Sequence, residues 1–275
     1  MKIKIDGGLF EKDGRSNEVD LMLPSEDILK TWRKFDHFPM ETVSKLWVYN
    51  KHKAGRQRDI AQMREDRQKY GLSGNCFDLA IWLLDEFKKD GIKAYPIGHD
   101  IDAEGAHVAV IAVDETGGRY LCDLGDQWIT PILIDSHRQD FSEEKLSGVF
   151  PAAKIQVKPG REHLEILYHR PNGKVSKQTY DTTPIEAEEF RTAAEASQNR
   201  ISPPPLIECR VGYKDETAHW EFDDWEITWS TTEGLIKKES NETMSELADV
   251  IETTTGMDKG IVQTVLELYR KREKE

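Results

Sequence analysis

Three side chains in this sequence have the types that nucleophilic catalysis requires: Cys76, His107 and Asp123. A thiol attacks as its anion, so it needs a base within reach and a third group to orient that base. Gly74-Asn75-Cys76 sets the thiol at the start of an apolar run, Phe77, Ala80, Ile81, Leu84 and Phe87, with helical spacing. That run predicts an amphipathic helix that stops at Lys88-Lys89-Asp90-Gly91. First-turn N–H groups and the helix dipole favour negative charge, and so a thiolate, at Cys76. His107 opens a β-rich run, Ala106–Val113, with His107, Ala109, Ile111 and Val113 on one face. A second run, Arg119–Leu124, follows the hairpin signal Asp114-Glu115-Thr116-Gly117-Gly118. If Val113 pairs with Arg119, His107 faces Gly125 and Ala109 faces Asp123. Asp123 then shares the His107 face one diagonal away, roughly 5–8 Å between backbones and within side-chain reach. A slip of one residue would put the two on opposite faces. The plainer alternatives are a buried cysteine acting as a small hydrophobe and a strand histidine bonded to any neighbour. An aspartate inside an apolar strand nevertheless demands a partner.

Other polar residues give weaker patterns. His99 lies beside Asp100 and Asp102 in an expected loop. His163 and His169 could share a strand face but lack a third ligand at metal spacing, so no metal site is expected. His37, His52, His137 and His219 read as surface or core histidines, and Asp223-Asp224 as a turn. Nucleotide-binding glycine loops and the HExxH zinc motif are absent from the sequence. Cys76, Cys122 and Cys209 are odd in number and widely spaced, which argues against a disulfide framework and for reduced thiols in a cytoplasm. The 275 residues carry a formal charge of −13, and 32% of them are charged. An acidic surface argues against nucleic acid as a partner. No apolar stretch is long enough to span a membrane, and Met1 to Gly8 lacks the apolar run of a signal peptide.

The elements around these residues fall into three blocks. The first, 1–91, reads as helical and carries the cysteine. Ser25-Glu26-Asp27 starts a helix with Ile28, Leu29, Trp32 and Phe35 on one side, and Met40–Val48 forms a second. Lys51 to Tyr70 is a polar, charged stretch expected as a solvated loop or exposed helix. The second block, 92–185, is β-dominated and carries His107 and Asp123. Strands are expected at Lys93–Ile97, near Ile129–Ile134, and over Lys154–Val157, His163–His169 and Val175–Thr179. The third, 186–275, holds a helix over Glu186–Ser197, a proline linker at Ser202–Pro205 and strands at Ile207–Val211, Ala218–Phe222 and Trp225–Trp229. Helices at Met244–Glu252 and Gly260–Lys274 close the chain. Trp220, Phe222, Trp225, Ile227 and Trp229 are expected in a packed core.

Three segments in order resemble those of the arylamine N-acetyltransferases: Ser73-Gly74-Asn75-Cys76-Phe77-Asp78, Gly105-Ala106-His107-Val108-Ala109-Val110 and Tyr120-Leu121-Cys122-Asp123-Leu124-Gly125. The resemblance extends over most of the chain. It implies an α+β, cysteine-proteinase-like fold with an N-terminal helical bundle, a central antiparallel β-barrel and a C-terminal α/β lid. It also implies that Cys76 accepts an acyl group, that His107 is its base and that Asp123 orients His107. The donor would be acetyl-CoA and the acceptor a small amine of the arylamine or hydrazine type, with ping-pong kinetics and the Cys76 N–H helping to hold the oxyanion. Two departures stand out. The family's Arg before the cysteine reads Leu72 and its Glu after it reads Asp78, so their ion pair is not expected in that form. An aromatic position after the aspartate reads Asp126-Gln127, which replaces a pocket wall with charge. Other uses of such a triad are an amide synthase or a transglutaminase- or papain-like amide hydrolase; a binding module with a vestigial triad is the non-catalytic alternative.

Overall fold

The computed structural model describes residues 23–53, 55–103, 105–202, 204–238 and 243–274. The N-terminal Met1–Gly8 segment and Pro203 of the expected linker lie outside the described residues. The N-terminal part holds α1 (Glu26–Trp32), a short 3-10 turn (Arg33–Phe35), β1 (Met40–Glu41), α2 (Val43–His52), α3 (Ile60–Tyr70) and α4 (Cys76–Lys89). Then come β2 (Lys93–His99), β3 (His107–Val113), β4 (Arg119–Cys122), β5 (Ile132–Leu133), β6 (Leu146–Phe150), β7 (Ala153–Pro159), β8 (His163–His169) and β9 (Val175–Asp181). The last part holds α5 (Ala187–Asn199), β10 (Ile207–Tyr213), β11 (Glu216–Asp223), β12 (Glu226–Thr231), β13 (Gly234–Lys238), α6 (Met244–Thr255) and α7 (Lys259–Arg272). Among the described residues no helix is long and apolar enough to cross a membrane.

The fold is α+β. Eight antiparallel strands, in the order β5-β4-β3-β2-β9-β8-β7-β6, curl into a nearly closed barrel. The Ile129 N–H, just ahead of β5, donates to Val149 O of β6 at 2.7 Å and draws the two free edges together. α4 enters this barrel's core: Phe77, Leu83 and Phe87 are sealed among Val110, Ile111 and Leu121. Burial of that helix face is the main force holding the cysteine-bearing turn against the strands.

The second sheet, β1-β10-β11-β12-β13, has one apolar face. Ile207, Cys209, Trp220, Phe222 and Ile227 pack there with Leu247, Ile251, Val265 and Leu266 of α6 and α7. Of the residues expected in a core, Trp220, Phe222, Trp225 and Ile227 are in it, and Trp229 packs against its edge, partly buried. The residues between them point the other way, toward the barrel, and they are polar: Glu208, Arg210, His219 and Glu221.

One element differs from expectation near the cysteine. Met40 and Glu41 are not the first turn of a helix but a strand paired with Glu208 and Ile207 of β10. The helix that follows begins at Val43. A two-residue strand is set by its partner, and that partner lies far along the chain.

Candidate active site

The thiol is the first residue of α4. Asn75 caps the helix by accepting from Asp78 N (3.1 Å), and Asp78 answers by accepting from Asn75 N (3.1 Å). Gly74 has φ +120°, and a Cβ there would lie 2.2 Å from Asp78 Oδ2, so the turn into Cys76 requires glycine.

Behind this turn sits a buried charged frame. Arg58 is 4% exposed, and its guanidinium reaches Asp78 (3.3 Å), Asp66 (3.0 Å) and the carbonyl of Ser73 (3.1 Å). Gln57 and Gln198 donate to the two Asp78 oxygens at 2.7 and 3.1 Å. Fully buried Glu41 accepts from Ser73 N (3.1 Å) and Ser44 N (2.7 Å), while its own N–H donates to Gly74 O (2.9 Å). Burial pushes the Glu41 carboxyl up and the Arg58 charge pulls it back. This corrects two readings. The stretch from Lys51 to Tyr70 is not simply a solvated face, because Arg58 leaves it for the interior. And an arginine–carboxylate pair does stand beside the cysteine, although no arginine occupies position 72. A guanidinium reaches Asp78 from a different segment, and Asp78 is close enough to Arg58 for the shorter side chain to suffice.

The hairpin register is the expected one, with Val113 opposite Arg119 and Val110 opposite Cys122. The ladder stops there, and Asp123 lies one residue past the end of β4. His107 Nε2 meets Asp123 Oδ2 at 2.7 Å. Tyr180, on β9, donates its hydroxyl to the same oxygen at 2.5 Å, and Asp126 N–H donates to Oδ1 at 2.9 Å. The buried carboxylate is therefore fully partnered, which removes the cost of burying it. Burial alone would raise the Asp123 pKa, but His107 and Tyr180 hold it below the usual range. Burial alone would lower that of His107, yet Asp123 and a hydrogen bond to Cys76 carry it well above the ordinary imidazole value. Gly125 closes the other side: a Cβ there would lie 2.7 Å from Cys76 Cβ and 2.9 Å from His107 Cε1. The three expected residues are thus brought together.

His99 ends β2 rather than lying in a loop, directly opposite His107. Its ring stacks on that of His107 with centroids 6.0 Å apart. His163 and His169 sit at opposite ends of β8. Cys76 is partly exposed, whereas burial pushes the thiols of Cys122 and Cys209 up, the latter to about 12. Tyr168 donates its hydroxyl to Asp126. Burial and the nearness of Asp123 raise the Asp126 carboxyl. Sequence patterns missed Arg58, Glu41, Tyr180 and Gln198. Only Gly125 carried a sequence signal, through its predicted place opposite His107.

The fold is that of the arylamine N-acetyltransferases. The enzyme of that name from Mycobacterium abscessus aligns over 93% of this chain and 91% of its own, with TM-score 0.67 and 14% identity. The Mycobacterium marinum arylamine N-acetyltransferase in complex with CoA aligns over 83% and 87%, with TM-score 0.64 and 11% identity. That of Salmonella typhimurium aligns over 90% and 100%, with TM-score 0.63 and 10% identity. No protein-family model and no curated protein matches the sequence.

Proposed function

We propose that this chain is an acyltransferase that moves an acetyl group from acetyl-CoA to an amine through a thioester on Cys76. The observation that carries this reading is a single imidazole, His107, held by Asp123 at 2.7 Å through Nε2 and set beside a thiol at a helix N-terminus. The CoA-bound neighbour of the same fold supports the choice of donor. His107 takes the thiol proton, and the thiolate attacks the thioester carbonyl of the donor. The Cys76 N–H, a first-turn donor with no partner inside the helix, faces the developing oxyanion. CoA leaves as its thiol, taking the proton from His107. In the second half-reaction the amine attacks the Cys76 thioester, His107 removes its proton, and the thiol is restored. The acceptor class is an arylamine or hydrazine. Transfer to water or to another amine on the same triad is the second reading, and half-buried Asp126 beside the triad favours it. The unpaired thiols suit a reducing compartment.

The test is acetyl-CoA mixed with an aromatic amine or a hydrazine, with release of free CoA as the readout. Turnover is expected from the native chain and none from Cys76→Ala. Stoichiometric acetylation of Cys76 without turnover would move the acceptor to another class. Failure of iodoacetamide to label Cys76 near neutral pH would overturn the catalytic reading.

A further inference from the structure

The polar face of the second sheet forms, with the barrel, a cavity of about 190 Å³ lined by Asp126, Tyr168, Arg170, Glu208, His219 and Glu221 among others. Glu208 pairs directly with Glu221 across β10 and β11, and His219 lies two residues before Glu221 on the same face. One ligand atom from each of Glu208, His219 and Glu221 lies within 4.8 Å of the others. His219 is 6% exposed, and its nearest polar side-chain contact is Glu208 Oε1, 3.5 Å from Nε2. That is far longer than the 2.7 Å bond between His107 and Asp123. Among the described residues Glu221 has no hydrogen bond or ion pair, and Arg170, across the cavity, pairs with none of the three.

We propose that Glu208, His219 and Glu221 form a binding site for a divalent transition-metal cation of the zinc type, built from none of the triad residues. An imidazole that is 6% exposed and two partly buried carboxylates directed into one cavity offer three ligand atoms to a single cation. Ligands about 2.0–2.2 Å from a tetrahedral metal are about 3.4 Å from each other. Acceptors bonded to an ammonium at about 2.8 Å are about 4.6 Å apart. The His219–Glu208 separation of 3.5 Å is close to the first value, and all three ligand atoms lie within 4.8 Å of one another. One nitrogen and two oxygens suit a borderline ion, with the remaining coordination position open to the cavity. Arg170 and Lys177 are the cationic side chains in the same cavity lining.

The probe is Zn²⁺ titrated calorimetrically into the full chain, followed by Co²⁺ for its visible spectrum. The proposal is independent of acyl transfer and is read without an activity assay. It expects one ion per chain, equal binding in Cys76→Ser, and a cobalt spectrum without a sulfur charge-transfer band. His219→Ala and Glu221→Gln are expected to weaken binding about 100-fold or more. Glu221→Gln keeps shape on a half-exposed side chain, so it serves even if His219→Ala folds poorly. Binding that vanishes in Cys76→Ser overturns the proposal, as does binding unchanged in Glu221→Gln. So does an absence of binding at millimolar Zn²⁺, or uptake of an alkyl diamine in place of the metal.

Discussion

Asp123 is the residue on which the proposed chemistry turns, because three donors converge on it and only one of them, His107, would move a proton. Asp123→Asn keeps the shape but not the charge. It is expected to cut the acyl-transfer rate on the order of 10⁴-fold, measured as CoA release. It also leaves burial of His107 unopposed, so an NMR titration should find the His107 pKa shifted downward from its raised native value. The same pair gives stability a definite pH dependence. The raised His107 contributes fully below its unfolded pKa, about 6.5, and that contribution is lost as pH rises through the folded value. The lowered Asp123 contributes above its unfolded pKa, about 3.9, and loses that contribution as pH falls through the folded value. The difference in melting temperature between the native chain and Asp123→Asn should therefore be widest between those two unfolded values and narrow on either side. Gly125→Ala tests packing rather than charge. Its methyl would press on Cys76 and His107, and a displacement near 1 Å costs about 10²-fold in rate. The melting temperature should change far less than the rate.

The helix that carries Cys76 and the turn before it are positioned by Arg58 and Glu41, not by the triad. Arg58→Met would leave Asp78 and Glu41 buried without their cation. A loss of about 3–5 kcal/mol is expected in denaturant melts. Lysine should rescue poorly, since one ammonium cannot bridge Asp78, Asp66 and the Ser73 carbonyl as the planar fork does. Little of this frame was legible in the sequence. Arg58 sits in a polar run that looks the same whether it is solvated or buried, and burial depends on neighbours that are distant in the chain. The hairpin was legible, because a five-residue turn, 114–118, joins two β-rich runs, and pairing Val113 with Arg119 across it gives the observed register.

Across the whole molecule, Arg210 ties the second sheet to the rest. Its guanidinium donates to Trp128 O and Phe35 O, each at 2.7 Å. One bond reaches the segment after Asp123 and the other the N-terminal helices. Arg210→Ala should loosen the sheet against the barrel, with faster amide hydrogen exchange along β10 and β11 and a lower melting temperature. Each lost bond to a charged donor is worth about 1.5–3 kcal/mol. Exchange confined to the chain ends would argue that apolar packing alone holds the sheet.

Local chemistry was readable from the chain alone: a thiol at a helix start, a histidine on a strand, an aspartate one diagonal away. Helix caps and strand alternation are short-range patterns, so spacing carries them. The arginine behind Asp78, the tyrosine on Asp123 and the polar cavity of Glu208, His219 and Glu221 came from contacts between residues far apart in the chain. Whether a charged residue is buried or wet depends on what folding brings against it, and no spacing along the chain records that.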